Sequence, residues 1–99
     1  MLSDPETGLV YEANDAFCRF LGRPRAEVVG RTREEIGSTY SAADREQLLE
    51  QVRLHGVARD MRTRAVHPDG SVRTGSATAQ LVQLGGRPVL VSTVTEAAT

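Results

Sequence analysis

Two hydrophobic periods divide the chain. Up to about residue 55 apolar side chains recur at three- and four-residue intervals, and from Gly56 onward they recur at alternate positions. The first spacing puts side chains on one face of a helix and the second on one face of a strand. Phe17, Phe20 and Leu21 form an i, i+3, i+4 stripe that predicts a helix from about Asp15 to Leu21. Asn14 is a favourable N-cap, Asp15 places a negative charge where the helix dipole favours it, and Gly22 supplies the stop. Arg25–Val29, ended by Gly30, and Thr32–Ile36, ended by Gly37, each read as a turn or two of helix that needs a neighbour to pack against. Ser41-Ala42-Ala43-Asp44 resembles a capping box with Asp in place of Glu, and it opens the longest helix, to about Leu54. Leu48, Leu49 and Val52 share one face of that helix; Arg45, Glu46, Glu50 and Arg53 give it solvated charge.

Strands are expected on both sides of this helical middle. Asp4-Pro5-Glu6-Thr7-Gly8 has turn composition. Leu9–Ala13 follows as a short strand, with Leu9, Tyr11 and Ala13 on one face and Val10 on the other. Val57–Val66 is the next strand, with Val57, Met61 and Ala65 in phase. His67-Pro68-Asp69-Gly70 is a strong hairpin signal, Ser71–Leu84 a further strand, Gly85-Gly86 a second turn and Arg87–Thr95 the last strand. The order predicts a single α+β domain over residues 1–99.

Composition narrows the function. At 99 residues there is surface enough for one core and no second. Leu, Val, Ile and Phe supply 23 residues, so the chain clears the level of about 20% below which disorder is expected. Twelve arginines against 13 acids leave a net charge of −1, which gives no reason to expect nucleic acid or membrane contact. There is no lysine, which excludes both a P-loop and a Schiff-base enzyme. One cysteine allows no intrachain disulfide. Apolar runs such as Pro88–Val91 are far shorter than the ~20 residues that span a bilayer. Met1-Leu2-Ser3-Asp4 has no signal-peptide character, so a cytoplasmic location is expected.

The order of short motifs resembles a PAS domain. The N-terminal half carries Asp4-Pro5-Glu6-Thr7-Gly8, Tyr11-Glu12-Ala13-Asn14-Asp15-Ala16-Phe17, Leu21-Gly22 and Ala26-Glu27-Val28-Val29-Gly30-Arg31-Thr32. The second half carries Asp44-Arg45, Pro68-Asp69-Gly70-Ser71 and Gly85-Gly86-Arg87-Pro88. The resemblance covers nearly the whole chain. It implies a five-stranded antiparallel sheet with short helices on one face and a small cavity between them. Of the first strand, central in the family, only Met1-Leu2-Ser3 remain, so it is expected to be truncated or completed by another chain. The resemblance also implies a non-catalytic sensory or relay module of a larger bacterial-type signalling protein, such as a two-component histidine kinase, a cyclic-dinucleotide enzyme or a transcription regulator. A ligand-free dimerisation scaffold is the alternative. The family often ends its last strand in Asp-Ile-Thr; Thr95-Glu96-Ala97-Ala98 keeps only the acid.

Several residues invite sharper chemistry. Cys18-Arg19-Phe20-Leu21 copies the letters of the flavin light-sensor motif but precedes Glu27-Val28-Val29-Gly30-Arg31 instead of following it, so Cys18 is expected to be a small, partly buried helix residue and no flavin is expected. His55 and His67 are the only histidines. Neither falls in Asp44–Val52, where haem-binding relatives place the axial ligand, and neither has metal-site spacing, so no cofactor or metal is expected and His67 should be solvent-exposed. Glu34-Glu35 and Asp4/Glu6 come without a nucleophile and are read as solvated charge. Arg59, Arg62, Arg64 and Arg73 form a basic cluster, read as a solvated edge or partner contact.

A small-ligand pocket, if formed, is expected between Phe17 and Leu21 of the first helix, Leu48 and Val52 of the long helix, and Met61 and Thr63 of the sheet; a plain packed core is the competing expectation. Small residues at Ala65, Gly75, Ala77 and Ala79 would leave the space. In the last strand Val89 and Val91 point to one face and Leu90 and Val94 to the other. Both faces then need cover, and a homodimer burying Leu90 or Val94 is expected. The phase of the long helix has a direct test: Leu48→Ala should destabilise by roughly 2–5 kcal/mol, and Arg53→Ala should stay within about 0.5 kcal/mol. Urea melts that show equal losses would overturn the phase.

Overall fold

The computed structural model describes residues 1–39 and 42–97, and among these lie six antiparallel strands and two α-helices. In order they are β1 (Leu2–Ser3), β2 (Val10–Glu12), α1 (Asp15–Leu21), β3 (Ser38–Thr39), α2 (Ala42–His55), β4 (Val57–Val66), β5 (Val72–Leu84) and β6 (Arg87–Glu96). The sheet runs β2-β1-β6-β5-β4-β3. Its first five strands are the expected five-stranded sheet, and β3 adds a two-residue edge against β4. Short as it is, β1 sits mid-sheet, paired with β2 on one side and β6 on the other.

Local chemistry sets the elements. The Asn14 side chain accepts a bond from the Phe17 N–H at 3.0 Å, and α1 ends at Gly22 with φ 68°, a left-handed cap that a Cβ would strain. That cap also lies under the His67 ring, whose Nε2 is 2.8 Å from the Phe20 carbonyl; His67 is therefore half-buried, not solvent-exposed as expected. The expected helix Arg25–Val29 is a single 3₁₀ turn, Arg25–Glu27, and Thr32–Ile36 is a run of turns. Neither segment has the length to propagate a helix. The α2 helix runs one residue past the expected end, and Ser41 of the expected capping box lies outside the described residues.

Two helix-covered core clusters result. Phe17, Cys18, Phe20 and Leu21 of α1 pack with Val10, Val28, Ile36 and Ala65, and the Phe17 and Phe20 rings meet edge to face at 6.3 Å. Leu48 and Val52 of α2 pack with Ala58, Ala79 and Leu90. Each fully buried Leu contributes roughly 1.5–3 kcal/mol. Between the clusters the sheet presents small side chains, which is what lets the helices lie close. A Cβ at Gly75 would meet the Thr95 carbonyl at 2.7 Å and the Phe20 ring at 3.2 Å.

Three expectations about strand faces are corrected. Val10 and Ala13, expected on opposite faces of the Leu9–Ala13 strand, are both buried, because the register against β1 slips between Leu2 and Ser3. Ala58, not Val57, is buried in β4. There the register slips between Ala58 and Met61, with Asp60 at φ 54°, so the bulge turns both Ala58 and Met61 toward the helices. Leu90 is no dimer surface: it is fully buried beneath α2, and Val94, on the same side of β6, packs partly buried against the α1 cluster. The face that no helix covers carries Val89 and Val91, with Leu2 and Val82 paired beside them.

The turn before β2 is fastened by one side chain. Asp4 Oδ1 accepts from the Glu6 N–H at 2.8 Å and the Thr7 N–H at 3.0 Å, and Oδ2 accepts from the Tyr11 hydroxyl at 3.0 Å. The Thr7 and Glu6 amides, and after them the Tyr11 hydroxyl, hold the exposed Asp4 carboxyl below its ordinary value. A carboxyl lowered in the folded chain stabilises above its unfolded value, and that contribution is lost as pH falls through the lowered one. Glu12, beside Arg25, and Asp69, bonded by Ser71, share the direction. Asp4→Asn keeps an acceptor but does not titrate. Urea midpoints taken downward from pH 7 should fall less below about pH 4 in this variant than in the parent, and parallel curves would overturn this role of Asp4.

Candidate functional site

On the helix side an open groove of about 460 Å³ lies between α2, the residue 4–8 turn and the β5–β6 arm. Leu81 and Leu90 face each other across the two strands and form its floor. Glu46, Leu49, Val52 and Arg53 make the α2 wall, their spacing placing them along one side of the helix. Pro5 and Glu6 make the opposite wall. Arg45 Nη2 donates to the Glu6 carbonyl at 3.1 Å, which ties α2 to the turn that Asp4 closes. The floor is apolar and the charges stay at the rim. Such a groove takes an apolar body and offers polar contacts only at its mouth.

The six expected pocket residues do not converge. Val52 lines the groove, Leu48 is buried behind it, and Met61 packs at the margin of the same cluster. Phe17 and Leu21 belong to the α1 cluster. Thr63 is buried on β4. Leu81 and Leu90 escaped notice as a floor, although centring a hairpin on Gly85-Gly86 pairs Leu84 with Arg87 and hence Leu81 with Leu90.

Arg33 also escaped notice. Its side chain is buried, and Nη2 lies 3.4 Å from the Ser3 hydroxyl on β1. No periodic signal marks it, because the segment around it is a run of turns. Other polar residues behave as read. Arg59, Arg62 and Arg64 are exposed, and Arg73 is exposed with an ion pair to Glu96 at 3.8 Å. Glu35 accepts from the Thr32 amide and hydroxyl, which holds its carboxyl low. His55 is exposed at the end of α2, and burial pushes the Cys18 thiol up. Among the described residues no three His, Cys, Asp or Glu side chains come together to hold a metal, and no helix is long and apolar enough to cross a membrane.

Comparison with known structures agrees with this architecture. The PAS domain of an HTR-like protein from Haloarcula marismortui superposes with a TM-score of 0.68 at 25% identity, over 97% of this chain and 78% of that one. The Vibrio cholerae VqmA dimer in the absence of target DNA gives 0.62 at 24% identity, over 98% of this chain and 44% of that one. VqmA bound to DPO gives 0.58 at 20%, over 95% and 50%. At such identities the VqmA likeness is one of fold. No curated protein matches the chain. The family model of the PAS fold matches residues 1–95, and the chain belongs to the PAS family.

Proposed function

We propose that this PAS domain, of a family of sensory modules in signalling proteins, senses a small and largely apolar molecule in the groove between α2 and the β5–β6 arm. The observation that carries the reading is the Leu81–Leu90 floor facing Leu49 and Val52 across about 460 Å³. That volume is within the roughly 300–1,000 Å³ that small-molecule sites occupy. One ligand there would touch α2, β5, β6 and the residue 4–8 turn together, so occupancy would stiffen their arrangement. A ligand at about 100 times its Kd adds about 2.7 kcal/mol to stability. The neutral apolar probe N-phenyl-1-naphthylamine should brighten on mixing with the protein. Leu81→Asp, at a partly exposed position, should remove that response while leaving the fold intact. A response that is absent in the parent, or unchanged in the variant, would overturn the site.

A second reading, dimerisation, has its own observation. The sheet face turned away from the helices carries Leu2, Val82 and Val91 half-buried, with Leu84 exposed at the arm. Apolar side chains on an uncovered sheet face are stabilised by a partner. We place the homodimer contact on this face. Val91→Glu should then convert a sedimenting dimer to a monomer that keeps its helical and strand spectrum. Leu90→Glu, beneath α2, should unfold the chain. A parent that sediments as a monomer at micromolar concentration would sink this reading.

A further inference from the structure

The groove between α2 and the β5–β6 arm is apolar along its floor and charged at its two ends, with opposite signs. Along α2 its wall reads Glu46, Leu49, Val52 and Arg53. From Glu46 to Arg53 the helix makes nearly two full turns, so both side chains share one side with about 10 Å of rise between them. Leu49 and Val52 fill the interval. Glu6, on the facing wall, belongs to the Glu46 end, because the neighbouring Arg45 guanidinium donates to the Glu6 carbonyl at 3.1 Å. One end of the groove therefore carries two carboxylates and the other a guanidinium. All three side chains are exposed, and among the described residues no ion pair engages Glu6, Glu46 or Arg53. Acid toward the start of a helix and base toward its end suit the helix dipole. The dipole alone does not require that these charges line a groove.

Building on the reading of this groove as a ligand site, we propose that it takes a short apolar zwitterion. The ammonium sits between Glu6 and Glu46, the carboxylate meets Arg53, and the apolar body lies on Leu81 and Leu90. A neutral ligand would cover the charged ends without pairing them, and a singly charged one would leave one end covered and unpaired. The reversed orientation sets like charges together at both ends. Two kinds of molecule have the required span. An extended tripeptide with free ends separates its charges by about 10 Å, at roughly 3.3 Å per residue. An unbranched amino acid such as 8-aminooctanoate carries the same two charges without side chains.

The test is displacement of N-phenyl-1-naphthylamine by the tripeptide Leu-Ala-Leu in four forms: free, N-acetylated, C-amidated and blocked at both ends. The free form should displace the probe at about three-fold lower concentration than either singly blocked form, the size of a partly exposed ion pair. Against the doubly blocked form the factor should approach about ten. Each ratio is taken within one variant, so a change in probe affinity cancels. In Arg53→Gln the free and amidated forms should become equal. In the Glu6→Gln, Glu46→Gln double variant the free and acetylated forms should. Arg59→Gln, exposed on β4 and outside the groove, should keep the parent's ratios. 8-Aminooctanoate should likewise outcompete octanoate and octylamine, and the better displacer of the two zwitterions identifies the body as branched or unbranched. Equal displacement by all four peptides, or a preference that survives Arg53→Gln, would overturn the zwitterion while leaving the groove a ligand site. A probe that never brightens would overturn the groove itself, and this ligand with it.

Discussion

The close approach of two short helices to one sheet face is the constraint on which this fold depends. That approach is possible because the face is built of Ala58, Ala65, Gly75, Ala77 and Ala79, with the buried hydroxyls of Thr63 and Ser92 among them. Small side chains bring the helices near but bury little apolar area themselves. The stabilisation therefore rests on the few large residues that reach across: Leu21 and Ile36 on the α1 side, Leu48 and Leu90 on the α2 side. A core this thin has little redundancy, and losing one large side chain removes a sizeable share of a total stability of only about 5–15 kcal/mol.

The same constraint divides the interior. The two clusters are anchored by different helices, and α2 packs chiefly on β4 and β5, with Leu90 of β6 at the far side of its cluster. Beyond Val52 the helix and arm separate, and the residue 4–8 turn closes the third side. This turn is polar and local, fastened by the Asp4 carboxylate and tied to α2 through Arg45 and the Glu6 carbonyl. The groove wall is thus held by hydrogen bonds and its floor by packing. Packed floors resist deformation, while exposed hydrogen bonds open at little cost. That difference makes the turn the wall that opens at the lower cost.

The length and composition of the elements were legible in the sequence. Helix α1 was marked at both ends by Asn14 and Gly22, α2 by its apolar stripe, and the two hairpins by Pro68-Asp69-Gly70 and Gly85-Gly86. These signals are local: a cap bonds residues three or four apart, and a turn closes on its own dihedrals. The motif order likewise pointed to the family before any coordinate. Tertiary structure alone decided which strand face meets the helices. Period two states that Leu90 and Val89 oppose each other, but it does not say which of them meets a helix; packing under α2 chose Leu90, and Val89 is buried on the other face. Bulges at Tyr11 and at Arg59-Asp60 shifted the expected phase within β2 and, in β4, at Val57 and Ala58 alone, while Met61, Thr63 and Ala65 kept theirs, because one extra residue in a strand carries no hydrophobic signature. The expected pocket failed for the same reason. Its residues were chosen by periodicity within each element, whereas the groove is set by how far α2 reaches across the sheet, a distance that no local pattern encodes.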